Sequence, residues 1–404
     1  MTENVMMDDT LSMLRQLGLL TDLDLHFARL LVRLTSGDPS ENSPLQQGRG
    51  LGARASLALA AALASRATGQ GDVCVNLRQW ARRAQWDTKM VETSASIPPA
   101  GEWLSAVRAS SVVGRPGQRQ PLVLDRRGRL YLYRYWQYER CLADDLLQRA
   151  SAMLETVDEA RLRADLKRLY PRHPRLIGPD WQKVAAAVAV LKRLCVISGG
   201  PGTGKTSTVL RILALLTGQV GTRPLRVALA APTGKAAARL QEAIRAAKPS
   251  LGLKPERLAQ IPEEAFTLHR LLGARPNSVY FRHDRDNPLP LDVLVVDEVS
   301  MVGLALMAKT VAALPPIARL ILLGDKDQLA SVEAGAVLGE ICAGAGGFSP
   351  EFQVRLEALT GEGLPRGRAV ISPLTDTIVL LKHSYRFSAT SGIGALAQAV
   401  NRGK

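Results

Sequence analysis

The stretch LCVISGGPGTGKTSTVLRILALL, residues 194–216, narrows the fold more than any other part of the sequence. An apolar run, a glycine-rich turn and a second apolar run follow one another without a break. Gly199, Gly204, Lys205 and Thr206 satisfy G-x-x-x-x-G-K-[ST], the pattern of a strand that feeds a helix through a phosphate-binding loop. The glycines let backbone N–H groups close around phosphate oxygens. The helix that follows presents its positive end to them. Lys205 has the reach for β- and γ-phosphates, and the Thr206 hydroxyl suits Mg²⁺. The expected nucleotide-binding set is therefore Gly199, Gly200, Pro201, Gly202, Thr203, Gly204, Lys205, Thr206 and Ser207, with ATP and Mg²⁺ as ligands.

Three further apolar runs have the texture of strands buried on both faces: RVALAAPT (226–233), LDVLVVDE (291–298) and RLILLGD (319–325). Helical segments such as AAARLQEAIRAA (236–247) lie between them, which predicts an α/β domain with a doubly wound parallel sheet. In such folds ligands lie at the carboxyl ends of the strands, and these runs end in polar residues. Asp297 is placed to bind Mg²⁺ and Glu298 to orient and deprotonate an attacking water, although adjacent carboxylates at a strand end also serve as helix caps. Gln328, in GDKDQL, offers a neutral amide to a γ-phosphate or to that water; taken alone, the stretch is an ordinary loop.

Thr233 and Lys235, in APTGKAAARL, carry hydroxyl, amide and ammonium groups that suit a nucleic-acid backbone, with helix capping by Thr233 as the alternative. His269 and Arg270, in TLHRLLG, suit contact with a DNA strand, and a structural role for the histidine stands equally. The formal net charge of +15 favours a polyanionic partner.

Residues 1–110 read as a mostly helical docking domain, from apolar spacing over 10–35 and 54–90. Residues 111–172 read as a hairpin (121–136) joined to a long charged helix. The nucleotide-binding domain is expected over 173–345. Four scattered cysteines form no CxxC pair, five histidines show no ligand spacing, and the acidic start MTENVMMDDT lacks the basic opening of a signal peptide. No apolar run approaches the ~20 residues of a membrane span. A cytoplasmic chain with no membrane partner is expected.

GGPGTGKT, APTGKAA, TLHRLLG, VVDEVSMV, GDKDQLASVEAGAVL and HSYRF occur in the order of the superfamily 1 helicase motifs. Together with LHFARLL (25–31), GDVCVNL (71–77), RLYLYRYWQYE (129–139) and YFRHDRDNPLPLDVLVVDEVSM (280–301), they resemble the RecD family, the alpha subunits of the RecBCD enzyme (exodeoxyribonuclease V), over nearly the whole chain. The resemblance implies a RecA-like ATPase domain and an ATP-dependent helicase that moves 5′ to 3′. It implies single-stranded DNA from duplex ends as substrate. RecB and RecC are the implied partners, in a heterotrimer that repairs double-strand breaks by recombination. No nuclease motif is visible in this chain.

The resemblance also assigns Gln182 to adenine recognition and Arg386 to a γ-phosphate contact offered by a second RecA-like domain. Val299 stands where many relatives have Ala. Residues 346–404 are expected to be a linker and the start of that second domain, and the 17 residues after Phe387 suggest a truncated chain without unwinding activity of its own. The alternative is a nucleotide-binding, partner-docking subunit that is no motor.

Overall fold

The computed structural model describes residues 10–35, 52–84, 98–154, 156–171, 178–219, 224–328, 331, 333–343, 347–366, 372–383 and 385. The chain falls into two compact units, one of residues 1–140 with 333–335 and one of 141–332 with 336–404.

In the first unit, Thr21 and Asp24 start the helix Asp22–Thr35 by a reciprocal exchange: the Thr21 N–H and hydroxyl donate to the Asp24 carboxylate at 2.8 and 2.7 Å, and the Asp24 N–H donates back to the Thr21 hydroxyl at 3.4 Å. The apolar run at 57–64 forms the middle of helix Ala53–Gly69, buried from Ala55 to Ala64. Trp103, from helix Ala100–Ala109, is fully buried against it and donates its indole N–H to the Ser56 carbonyl at 2.9 Å. Four short strands complete the unit: β1 (Cys74–Asn76), β2 (Val113–Gly114), β3 (Leu122–Leu124) and β4 (Arg129–Leu132), in the order β1-β4-β3-β2. The β3–β4 turn is fixed by Asp125, whose carboxylate accepts from the Arg127 and Arg129 N–H groups.

This arrangement differs from the expected boundary at residue 110. GDVCVNL supplies β1, which pairs antiparallel with β4, so the hairpin belongs with the N-terminal unit. The hairpin arm is also shorter than its alternation implied. The chain turns helical at Tyr133 and continues to Ser151. The aromatics serve helical spacing as well as strand spacing, since Tyr133 meets Trp136 and Tyr135 meets Tyr138, three residues on.

The second unit is built on a parallel sheet of β5 (Leu194–Gly199), β6 (Val227–Ala231), β7 (Ala265–Thr267), β8 (Val293–Val296), β9 (Arg319–Gly324) and β10 (Ile378–Leu381), in the order β10-β5-β9-β8-β6-β7. Every residue of β5 and β8 is buried. Helices Trp181–Leu191, Lys205–Gln219 and Gly234–Ala247 contribute to the same core. From β5 the chain crosses two strand positions to reach β6, which opens the crevice where such sheets bind ligands.

The described part of 346–404 does not begin a separate domain. β10 runs parallel to β5, with Ile378 opposite Val196 and Leu381 opposite Gly199. Helix Pro350–Thr360 buries Phe352, Leu356 and Leu359 in the core that the sheet shares. A short apolar run such as IVLL needs a sheet edge, and β5 provides one beside β9. Leu356→Ala is therefore expected to lower the stability of the nucleotide-binding unit itself, by about 3 kcal/mol. A urea titration followed by fluorescence of a background in which Trp181 is the sole tryptophan checks this, and an unchanged midpoint would place the helix outside that core.

Candidate nucleotide site

β5 delivers Gly199 directly into the phosphate loop, and helix Lys205–Gln219 leaves it. Gly202 and Gly204 adopt φ of 80° and 79°, a region closed to most side chains. The Thr203 hydroxyl donates to the Gly200 carbonyl at 2.8 Å and tightens the turn. The Lys205 ammonium donates to the Gly199 carbonyl at 2.6 Å and to that of Gly200 at 3.3 Å, so the charge stands over the loop.

A cleft of about 1090 Å³ opens above this loop. Pro201 through Ser207 line it, together with Thr233, Lys235, Asp297, Glu298 and Gln328. The strand ends explain the gathering. β8 runs out into Asp297 and Glu298, β9 into the turn before Gln328, and β6 into the turn before Thr233.

Asp297 is almost completely buried, and burial pushes its carboxyl up to about 6. The Glu298 N–H, donated at 2.9 Å, and the Lys205 charge act against that rise, while the Glu298 charge adds to it. Glu298 holds φ 53° and ψ 43°, a left-handed conformation that costs a non-glycine residue about 1–3 kcal/mol. Such a turn separates the directions of two adjacent carboxylates. Gln328 sits in a turn held by its own N–H to the Asp325 carbonyl at 3.2 Å and by the Lys326 N–H to the Ser198 hydroxyl at 3.0 Å.

The residues fit the ligands their pattern implies. The glycine-rich loop with Lys205 supplies backbone donors and one cation for a polyphosphate. Thr206 and Asp297 supply one hydroxyl and one carboxylate, the donor set of a Mg²⁺ shared with phosphate oxygens. Among the described residues no group of three or more His, Cys, Asp or Glu could hold a metal ion.

Gln182 is buried and does not line the large cleft. Its amide N–H donates to the Thr203 carbonyl at 2.7 Å, which braces the loop from behind. Asp180 caps its helix by accepting from the Gln182 and Lys183 N–H groups. Arg386 lies outside the described residues. Its neighbour Tyr385 lines the cleft, and its N–H donates to the Gly202 carbonyl at 2.9 Å.

Thr233 does cap helix Gly234–Ala247, accepting from the Ala236 N–H at 3.2 Å, and it is also exposed in the cleft beside Lys235. Arg239 joins them, a residue sequence reading missed although it lies one helical turn beyond Lys235. His269 and Arg270 stand apart from this cleft, on the short helix that leaves β7, an edge strand. The His269 ring packs edge-on against Phe281, and Arg270 lies over the Phe266 ring at 5.2 Å with most of its side chain exposed.

Two family models match this chain. One, described as the RecBCD enzyme subunit RecD, N-terminal domain, covers residues 16–131, and one described as an AAA domain covers 182–334. The chain is 42% identical to the RecBCD enzyme subunit RecD of Mycobacterium tuberculosis H37Rv over 392 residues, 96% of this chain and 57% of that protein. The chain belongs to the RecD family. The RecD subunit of Haemophilus influenzae is 36% identical over 418 residues, 97% of this chain and 62% of that protein. The ATP-dependent RecD2 DNA helicase of Deinococcus radiodurans is 47% identical over 146 residues, 36% of this chain and 17% of that one. The chain thus spans about 57–62% of the length of these RecD subunits. Among the described residues of this RecD-family chain no helix is long and apolar enough to cross a membrane.

The Asp297 carboxyl fixes the sign of a pH effect. Its folded value lies above the ordinary 3.8, so its stabilisation is fully present below that value and is lost as pH rises through about 6. In Mg²⁺-free buffer, Asp297→Asn is expected to be more stable than the native protein by about 2 kcal/mol at pH 7.5, with the gap closing towards pH 4. Urea midpoints at the two pH values check this; an equal gap at both would contradict the role of burial.

Proposed function

We propose that this chain is the nucleotide-binding motor unit of an ATP-dependent DNA helicase, the RecD subunit of a complex with RecB and RecC. The proposed activity is 5′-to-3′ translocation on single-stranded DNA from duplex ends, in the repair of double-strand breaks. A cytoplasmic location follows from that role. One observation carries the reading: a single cleft gathers the phosphate loop, the Asp297–Glu298 pair, Gln328 and the exposed cations Lys235 and Arg239.

In this reading Lys205 neutralises charge that develops on the transferred phosphoryl group, and Thr206 and Asp297 hold Mg²⁺. Glu298 takes a proton from the attacking water, and Gln328 contacts the γ-phosphate or that water. Gln182 reads the adenine base. Arg386 reaches the γ-phosphate, where a planar, permanently charged fork suits the task. Thr233, Lys235, His269 and Arg270 hold the DNA backbone.

A second reading, a nucleotide-binding docking subunit without motor activity, has one observation in its favour. Tyr385, next to Arg386, closes on the loop of its own sheet. Steady-state ATP turnover by the full-length protein separates the two: strong stimulation by single-stranded DNA supports the motor, and equal turnover with and without DNA sinks it. The 404 residues on their own are expected to bind nucleotide weakly and not to separate strands.

Lys205→Gln is expected to lower DNA-stimulated kcat at least about 100-fold while leaving the circular dichroism spectrum intact. Lys235→Ala and Arg239→Ala are each expected to weaken single-stranded DNA binding alike for all sequences and to reduce the salt slope by about one. Fluorescence anisotropy over a salt series measures both quantities.

A further inference from the structure

Behind the phosphate loop lies a side-chain relay that the motifs do not include. Gln182 donates its amide N–H to the Thr203 carbonyl at 2.7 Å. Its amide oxygen accepts from the Arg211 guanidinium at 3.3 Å. Arg211 lies in turn over the ring of Tyr170, 4.8 Å from its centroid. Tyr170 is buried, and among the described residues its hydroxyl has no hydrogen-bond partner, so it meets Arg211 as an aromatic face. Gly204 completes the enclosure, since a Cβ there would strike the Gln182 amide nitrogen.

The chemistry of the two partners makes the relay directional. A carboxamide is nearly symmetric in shape, and its oxygen and nitrogen exchange places on a half-turn. The Thr203 carbonyl can only accept, and the Arg211 guanidinium can only donate. Both fix the same orientation, with nitrogen towards the loop and oxygen towards Arg211. Among the described residues Arg211 makes no ion pair, and its half-buried charge acts at longer range on the Asp180 carboxyl that caps the Gln182 helix. Arg211 also lines a second pocket of about 200 Å³, walled by Leu169, Leu210 and Leu251, which shares Ser207 with the phosphate cleft.

We infer that Arg211 is a positioning residue for Gln182, and that the relay from Tyr170 through Arg211 sets the preference of the site for adenine over guanine nucleotides. This rests on the nucleotide reading given above. An amide held in one orientation presents its second N–H and its second lone pair side by side. That edge matches the N7 acceptor and N6 donor of adenine, and it opposes the O6 acceptor of guanine. An amide free to turn presents the matching edge only part of the time. Arg211 acts on the base through Gln182, and its removal leaves the phosphate contacts in place.

The test is equilibrium binding of fluorescent N-methylanthraniloyl derivatives of ATP and GTP to the full-length protein and its Arg211→Met, Arg211→Lys and Gln182→Ala variants. The native protein is expected to prefer the adenine nucleotide. Arg211→Met narrows that preference about fivefold, the share of one hydrogen bond, mostly by weaker ATP binding. Arg211→Lys, which keeps a donor, restores part of it. In the Gln182→Ala background Arg211→Met changes the preference no further. Equal weakening of both nucleotides by Arg211→Met would make Arg211 merely structural and overturn the inference, as would an unchanged preference. A native protein that binds both nucleotides alike overturns the inference and leaves the nucleotide site standing; one that binds neither removes both.

Discussion

β5 is the constraint on which the rest of the second unit depends. Its backbone is paired in parallel on both edges, with β9 on one side and β10 on the other, and every one of its side chains is buried. A strand so held cannot slide without breaking two ladders and exposing Val196 and Ile197. The phosphate loop begins at its last residue, so the loop inherits a fixed origin. The neighbouring strands end within a few residues of that level, and the level decides the chemistry. Ser198 of β5 pairs with Gly324 of β9, which leads to Gln328, while Val296 of β8 pairs with Leu322 and leads to Asp297.

Local backbone features then aim the groups that the sheet brings together. The left-handed turns at Gly202 and Gly204 are available only because glycine stands there. Glu298 accepts the same kind of conformation without that freedom. Burial of Asp297 raises the cost of its charge, which the Lys205 ammonium partly offsets. A divalent cation at Asp297 would offset it further, so the pair of strand-end carboxylates is better suited to a loaded site than to an empty one.

What could be read from the sequence, and what could not, follows the range of the interactions. The phosphate loop was legible because its geometry depends on eight consecutive residues. Asp297 and Glu298 were legible because an apolar run ends at them. The cap at Thr233 was foreseen as an alternative and coexists with a place in the cleft. β1 and β10 escaped because strands of three or four residues carry little pattern, and only their partners, β4 and β5, define them. Arg211 escaped for the same reason, since its partner Gln182 lies 29 positions away. His269 and Arg270 were read from a motif, and the fold places them on the helix that leaves β7, an edge strand, a position in sheet order that no local spacing encodes.

The bond from the Tyr385 N–H to the Gly202 carbonyl has a consequence for how this segment can vary. It joins main chain to main chain, so the tether does not depend on the phenol. Among the ordinary amino acids only proline lacks the required N–H. Residue 385 can therefore change in size, charge or polarity over generations while the strap across the glycine loop is retained. A proline would release it in one step. The phenol ring packs edge-on against His383 and lines the cleft, while the backbone keeps the anchor.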